Sequence, residues 1–206
     1  MRVLIACEYS GTVRDAFLAR GHDAYSNDVI DTESKPERHL KMDVMEAIKS
    51  GTWDLIIIHI PCTAMGVCGN STYGRGMPKH QQRIDDLEWS LSVWDAACKQ
   101  SPRVAMENPA SVLFPALRNT KGAYVQYIQP YEFGHMEQKK TGLGTIGLPK
   151  LVGTENVYDE MMKLPKHVRE RIHYMGPSAD RAKERARFFP NIAKAMAEQW
   201  GQHATM

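Results

Sequence analysis

Between Asp54 and Ile60 the chain runs Leu55-Ile56-Ile57-Ile58 without a single side chain suited to water, and it stops at Pro61-Cys62. A strand that is apolar on both faces has to be covered on both faces, as strands of a parallel sheet between helical layers are. Val3-Leu4-Ile5-Ala6-Cys7 repeats the pattern and ends in a polar turn containing Gly11. Thr12 to Arg20 follows with helical spacing, placing Val13, Phe17 and Leu18 on one face, and Gly21 ends it. Further strands are predicted at Asp23 to Ser26 (ending near Asp28), His39 to Met42 (ending at Asp43) and Pro102 to Met106 (ending at Glu107-Asn108-Pro109). Helices are predicted at Val44 to Lys49 and Gln81 to Lys99, the latter with Leu87, Leu91, Trp94 and Cys98 on a stripe. Alternating strands and helices make βαβ units. The fold class is therefore α/β: a single-domain, Rossmann-like arrangement around a mostly parallel sheet.

The second half is less regular. Val125 to Gln129 reads as a strand, and Thr141 to Leu148 as its hairpin-like edge partner. Lys150 to Pro177 reads mostly as loop, with a short helix at Lys166 to Ile172. Asn191 to Gln199 closes the chain as a helix, with Ile192, Met196 and Trp200 inward. At 206 residues the chain suits one domain. Residues 1–124 would form the cofactor and catalytic core, and 125–206 the edge strands, a basic segment and the closing helix.

Composition excludes several classes. A net charge of +2 is neither histone-like nor that of an acidic disordered chain. The four cysteines, Cys7, Cys62, Cys68 and Cys98, are scattered, which fits a reducing, cytoplasmic setting better than a disulfide framework. The apolar runs fall far short of the roughly 20 residues that cross a bilayer, so no membrane partner is expected. His59, Cys62, Cys68 and His80 have spacings that fit no common zinc module, so no metal is expected.

In open parallel sheets, ligands gather at the carboxyl ends of the strands. Glu8, Asp28, Asp43, Cys62 and Glu107 all fall at such ends, which suggests one cleft. Cys62 follows Pro61 on a rigid strand end and opens the glycine-rich loop Thr63 to Lys79. A thiolate nucleophile needs such a partly exposed, electropositive site, whereas most free cysteines are simply small buried apolar groups. Glu107, at the next strand end, suits proton transfer; it equally suits a helix-start acid before Pro109. Asp28 and Asp43 read either as ligands or as turn and capping residues.

These residues resemble the cytosine-5 DNA methyltransferase family. Pro61-Cys62 and Glu107-Asn108-Pro109 are similar to its Pro-Cys and Glu-Asn-Val motifs. Phe133-Gly134-His135-Met136-Glu137-Gln138-Lys139-Lys140-Thr141 is similar to its Tyr-Gly-x-Pro-Gln-x-Arg-x-Arg segment. Cys7-Glu8-Tyr9-Ser10-Gly11-Thr12-Val13-Arg14-Asp15, Pro61-Cys62-Thr63, Gln129 to His135, and Phe189 to Ala193 with Gln199-Trp200 resemble a compact phage and prophage subgroup that lacks a separate target-recognition domain.

The resemblance implies S-adenosylmethionine, or a modified sulfonium analogue, as cofactor and DNA, duplex or single-stranded, as partner. It implies Cys62 as the nucleophile on C6 of cytosine, Glu107 as the proton donor to N3, and Lys139 near the base. Glu8, Tyr9, Ser10, Gly11 and Pro61 would line the cofactor, whose carboxylate would meet the helix start after Gly11. Asp28 would take its ribose and Asp43 its adenine amino group. Thr63, Arg75, Lys79, Asn108, His135 and Lys140 would hold the substrate. Arg83 would join Arg75 and Lys79 along a nucleic-acid backbone.

The stretch holding Lys163, Lys166, Arg169, Arg171, Arg181, Lys183, Arg185 and Arg187, opposed only by Glu170, Asp180 and Glu184, would either track phosphates or form a solvated face. The alternatives are the same chemistry on RNA or a free nucleotide, and an inactive methylase-like protein that binds nucleic acid or assists a partner.

Overall fold

The structure, a computed structural model, describes residues 1–202 apart from 177, 179 and 180. Pro177, at the end of the expected loop, and Asp180, among the expected acids of the basic stretch, lie outside the described residues.

A seven-stranded sheet holds the chain together, in the order β3-β2-β1-β4-β5-β7-β6. The strands are β1 Arg2–Ala6, β2 Asp23–Asp28, β3 His39–Lys41, β4 Leu55–His59, β5 Val104–Pro109, β6 Tyr124–Ile128 and β7 Thr141–Ile146. β1 to β5 pair in parallel, and β7 runs antiparallel to both β5 and β6. The expected hairpin of the last two strands is present. Its position differs, because β7 inserts between β5 and β6 and leaves β6 at the edge. Local patterning shows that two strands pair; only the third partner, β5, decides which of them is interior.

The helices are α1 Thr12–Leu18, α2 Val44–Lys49, α3 Asn70–Tyr73, α4 His80–Gln100, α5 Leu113–Lys121, α6 Tyr158–Met162, α7 Lys166–Arg169, α8 Arg171–Tyr174, α9 Arg181–Ala186 and α10 Pro190–Gly201. The continuous apolar run of β4 is explained by its two faces. Leu55 and Ile57 join one core with Val13, Phe17, Ile192, Met196 and Trp200 of α1 and α10. Ile56 and Ile58 join the other with Ile48, Trp94 and Phe114 of α2, α4 and α5.

Helix α5 is missing from the sequence expectation, and it contains Pro115. It falls in the first helical turn, where a proline is tolerated, and Gly122 closes the helix at φ 66°. Within α4 the buried line is Ser90, Val93, Trp94 and Ala97. Leu87, Leu91 and Cys98 of the expected stripe pack at its margin.

The segment expected as a glycine-rich loop, Thr63 to Lys79, carries a 3-10 turn at Val67–Gly69 and then α3. It is fastened by Arg83 of α4, whose side chain donates to Ala64 O (2.7 Å), Gly66 O (3.1 Å) and Asn70 Oδ1 (2.7 Å). Arg83 is thus buried and fully used inside the protein, not free for a nucleic-acid backbone as the sequence suggests.

Candidate active site

Because β1 to β5 are parallel, their carboxyl ends share one rim of the sheet. His59 of β4 stands directly opposite Glu107 of β5. Their side chains meet at 3.2 Å between Nδ1 and Oε2, and both are largely buried. Beyond β4 the chain turns through Pro61 to Cys62, Thr63 and an exposed rim. Asn108, fully buried, braces that turn by donating from Nδ2 to Ile60 O at 3.0 Å. Asn108 thus braces the Cys62 turn through Nδ2, while its Oδ1, also buried, accepts no hydrogen bond among the described residues. Replacing Asn108 with Ala should cost about 1–2 kcal/mol in denaturant unfolding, because Ile60 O loses its partner.

Cys62 is exposed, yet its thiol is pushed up from the ordinary range, first by desolvation and then by the negative charge of Glu107. Lys139 and Arg185 pull in the other direction. The electropositive setting expected for a nucleophile is therefore present in part and outweighed in this state. Exchanging Glu107 for Gln should bring the thiol pKa down, so alkylation of Cys62 by iodoacetamide at pH 8 should speed up about two- to fivefold.

The α9 segment lies against this rim. Lys139 Nζ donates to Arg185 O (3.0 Å) and sits 5.9 Å from the Phe189 ring centre. Tyr9 Oη donates to Lys183 O (2.8 Å), and Arg187 pairs with Glu33 (2.7 Å). Arg169 and Arg171 of the basic stretch are also committed, to Gln138 and Leu164 O and to Glu137. The stretch is thus partly structural, and Arg185 is the member whose charge acts on the Cys62 thiol.

At the other side of the rim lies the region expected to hold a cofactor. The helix start after Gly11 is closed by the protein itself. Glu8, buried, accepts from Val13 N (2.6 Å) and Arg14 N (3.3 Å), while Ser10 Oγ accepts from Thr12 N (3.3 Å). This corrects the expectation that those N–H groups receive a cofactor carboxylate: Glu8 and Ser10 already occupy them. Burial raises the Glu8 pKa, and the charge of His59, followed by the two backbone N–H groups, lowers it. Gly11 sits at φ 74°, and a Cβ there would overlap the Arg14 guanidinium. Tyr9 is likewise turned to α9, so its hydroxyl is committed.

Asp28 holds a tight turn through Oδ1, which accepts from Val29 N at 2.7 Å. Asp43 is the N-cap of α2, accepting from Met45 N at 2.7 Å. Each aspartate has a second oxygen that accepts no hydrogen bond among the described residues, and Val29 and Ile30 are exposed beside Asp28. Cys7 lies between the two aspartates at φ 57°, a left-handed backbone that favours glycine, and its thiol is pushed up to about 12 by burial and by both acids. The two acids with their apolar neighbours suit the nucleoside half of a sulfonium cofactor. The α1 start does not suit its carboxylate.

His135, another expected substrate contact, is hydrogen-bonded within the protein. His135 Nε2 accepts from Asn191 N (3.2 Å) at the start of α10, and its ring packs 5.0 Å from that of Phe189. It is a helix cap, and burial lowers its pKa. Because the unfolded imidazole gains its proton near the ordinary value of about 6.5 and the folded one only lower, folding stability should be unaffected above that pH. It should fall as pH drops from about 6.5 toward the lower folded value. The His135→Gln variant should lose that part of the slope in urea titrations at pH 5 and 7.5.

Lys140 stacks its ammonium 4.6 Å from the Tyr127 ring on the edge strand. Arg75 and Lys79 are exposed on the far part of the Cys62 segment. Among the described residues no group of three or more His, Cys, Asp or Glu is arranged to hold a metal ion. No helix among them is long and apolar enough to cross a membrane. An open cavity lined by Tyr131, Glu132, Asn156, Tyr158 and Asp159 involves none of the strand-end residues.

Sequence reasoning weighed His59 only as a metal ligand and passed over Arg185 as an individual residue. The signal for His59 was a lone polar residue closing an otherwise apolar strand. Nothing local distinguishes Arg185 from its basic neighbours.

No protein-family model matches the chain, and no curated protein matches it. Solved structures do. The Entamoeba histolytica methyltransferase EhMeth aligns with a TM-score of 0.50 at 13% identity, over 76% of this chain and 57% of that one. A protein described as a DNA modification methyltransferase encoded within an E. coli prophage aligns at 0.44 and 13% identity, over 81% and 56%. The S. pombe Dnmt2 methyltransferase aligns at 0.47 and 14% identity, over 87% and 62%. The chain thus spans little more than half the length of these proteins. What the likeness establishes, with the sheet order, is the fold: the α/β sheet of the Rossmann-like methyltransferases.

Proposed function

We propose that this protein transfers a methyl or methyl-derived group from S-adenosylmethionine, or a modified sulfonium analogue, to C5 of cytosine in DNA. What supports this reading is Glu107 standing opposite His59, three residues before Cys62, with the charges of Glu107, Lys139 and Arg185 all acting on the Cys62 thiol. Cytosine C5 is a poor nucleophile. Addition of the Cys62 thiolate to C6, with a proton passing from Glu107 to N3, makes C5 electron-rich, which divides one difficult step into easier ones. Loss of the C5 proton to water, with the electrons of that bond expelling sulfur from C6 and N3 returning its proton to Glu107, restores the cytosine ring and the Cys62 thiolate.

Lys139 and Arg185 favour the thiolate and a polyanion alike. Asp28 and Asp43 would hold the ribose and adenine of the cofactor, which supplies an electrophilic methyl group when bound. A cytosine within a duplex would have to be turned out of the stack to reach Cys62.

A second reading, a methylase-like protein that binds nucleic acid without turnover, is favoured by one observation: Glu8 and Ser10 close the helix start expected to receive the cofactor carboxylate. Nucleoside mass spectrometry of duplex DNA, single-stranded DNA and RNA incubated with protein and S-adenosylmethionine separates the two. We expect 5-methylcytosine from DNA. Its absence from every acceptor, together with undetectable cofactor binding in calorimetry, would leave the second reading.

A further inference from the structure

We infer that His59 is a positioning residue that holds Glu107 and shares its proton, an inference that rests on the cytosine reading above. His59 and Glu107 come from sites 48 residues apart and are brought face to face by the β4–β5 register. Their side chains are 9% and 11% exposed, so the 3.2 Å contact is nearly free of solvent. The other ring nitrogen, Nε2, is enclosed and has no hydrogen-bond partner among the described residues. The ring is covered by Phe188, 4.8 Å away and steeply tilted, which adds no charge.

Enclosing a ring nitrogen without a partner costs free energy that an exposed ion pair does not incur. The charged and titratable groups around His59 come from each neighbouring element. Glu8, after β1, acts on it electrostatically, and Glu107 faces it from β5. Cys62 follows on its own strand, with Lys139 before β7 and Arg185 from α9 on the Cys62 side. Of these, Glu107 is the group in hydrogen-bond contact with the imidazole.

That arrangement supplies what a proton donor to N3 needs. At neutral pH an isolated glutamate is a carboxylate and has no proton to give. With one proton shared along Nδ1···Oε2, Glu107 can carry it as a carboxylic acid while Nδ1 accepts. As the sulfur–C6 bond forms, that proton moves from Oε2 to N3. The carboxylate left behind stays fixed beside His59, and no second proton enters the pair. When the sulfur–C6 bond breaks, the proton returns from N3 to Glu107, so no proton is consumed. A protonated Glu107 also removes the negative charge that raises the Cys62 thiol, so one proton serves both reacting groups.

The test has two arms. In the first, the protein alone is labelled with 15N-histidine, and the His59 ring is titrated by NMR in wild type and Glu107→Gln. We expect the His59 ring 15N shifts to report a changed tautomer or hydrogen bond at Nδ1 in the variant; unchanged shifts overturn the shared proton. In the second, kcat and KM for transfer to cytosine DNA are followed from pH 6 to 9 in wild type, His59→Asn and His59→Leu. Asn keeps an N–H near the place of Nδ1 but cannot titrate.

We expect His59→Asn to lose about 10- to 100-fold in kcat at pH 8, much less at pH 6, with little change in KM, and His59→Leu to lose about 100-fold throughout. Profiles scaled evenly at all pH values, or wild-type kcat in both variants, overturn the positioning role. Thermal melts separate this from misfolding, since the Asn variant keeps the size and polarity of the site. If wild type modifies no cytosine while the NMR arm shows the coupling, the cytosine reading and the role drawn from it fall together, and only the paired proton stands.

Discussion

Cys62→Ala should abolish cytosine modification while leaving the protein folded. The thiol is exposed on a turn braced by Asn108, so its removal opens no cavity in either core, and the melting temperature should stay within a few degrees. The chemistry has no substitute for it, because no described side chain other than Cys62 combines exposure, the neighbouring Glu107 and the two cations. Loss of a covalent nucleophile commonly removes rate by factors of about 10^4 to 10^6, so product should drop below detection in nucleoside mass spectrometry.

A trapping experiment reports on the same residue independently of product. DNA carrying 5-fluorocytosine cannot lose fluorine as a cation, so the sulfur–C6 adduct should persist. Wild type should then give a species stable to denaturation, and Cys62→Ala none. Product from the Ala variant equal to wild type would remove Cys62 from the mechanism.

The second large effect is structural. Arg14 is fully buried, and its guanidinium donates to Asp15 Oδ1 (2.9 Å), Ser26 Oγ (2.8 Å), Thr32 Oγ1 (3.3 Å), and both Ser34 O (2.8 Å) and Ser34 Oγ (2.6 Å). It ties α1 to β2 and to the loop that follows Asp28, and it fills the space beside Gly11. Arg14→Ala leaves a large void, orphans several acceptors and uncouples Asp15. Breaking such a buried, multiply bonded charge costs about 3–5 kcal/mol. Chemical denaturation should show that loss directly. Because the loop after Asp28 depends on Arg14, any binding of S-adenosylmethionine should weaken in step. A change below about 1 kcal/mol would mean that the Arg14 network forms equally well in the unfolded chain or is replaced by solvent.

Much of this was legible in the chain. The apolar runs at Val3 to Ala6 and Leu55 to Ile58 required a sheet covered on both faces, and the cores on either side of β4 are what they required. The inward positions of Ile192, Met196 and Trp200 followed from spacing alone. The strand-end location of Asp28, Asp43, Cys62 and Glu107 followed from where each run stopped.

What was not legible concerns partners. Glu8, His135, Asn108, Arg83 and Tyr9 each looked available for a ligand, and each is engaged by the protein's own backbone. A polar residue in a motif-like context advertises hydrogen-bonding capacity. Whether that capacity is spent internally depends on a group far away in sequence. The α5 helix was hidden for a local reason, since a proline in the first turn looks the same as one that ends a helix.

The sequence by itself determined the layers, the direction of the central strands and the residue types delivered to one rim, because side-chain periodicity records which faces are dry. Only the tertiary structure decided that β7 lies inside the sheet, that the charge of Arg185 acts on Cys62, and that His59 faces Glu107. Those outcomes depend on strand register and on long-range packing, where a shift of a single residue would send each side chain to the opposite face.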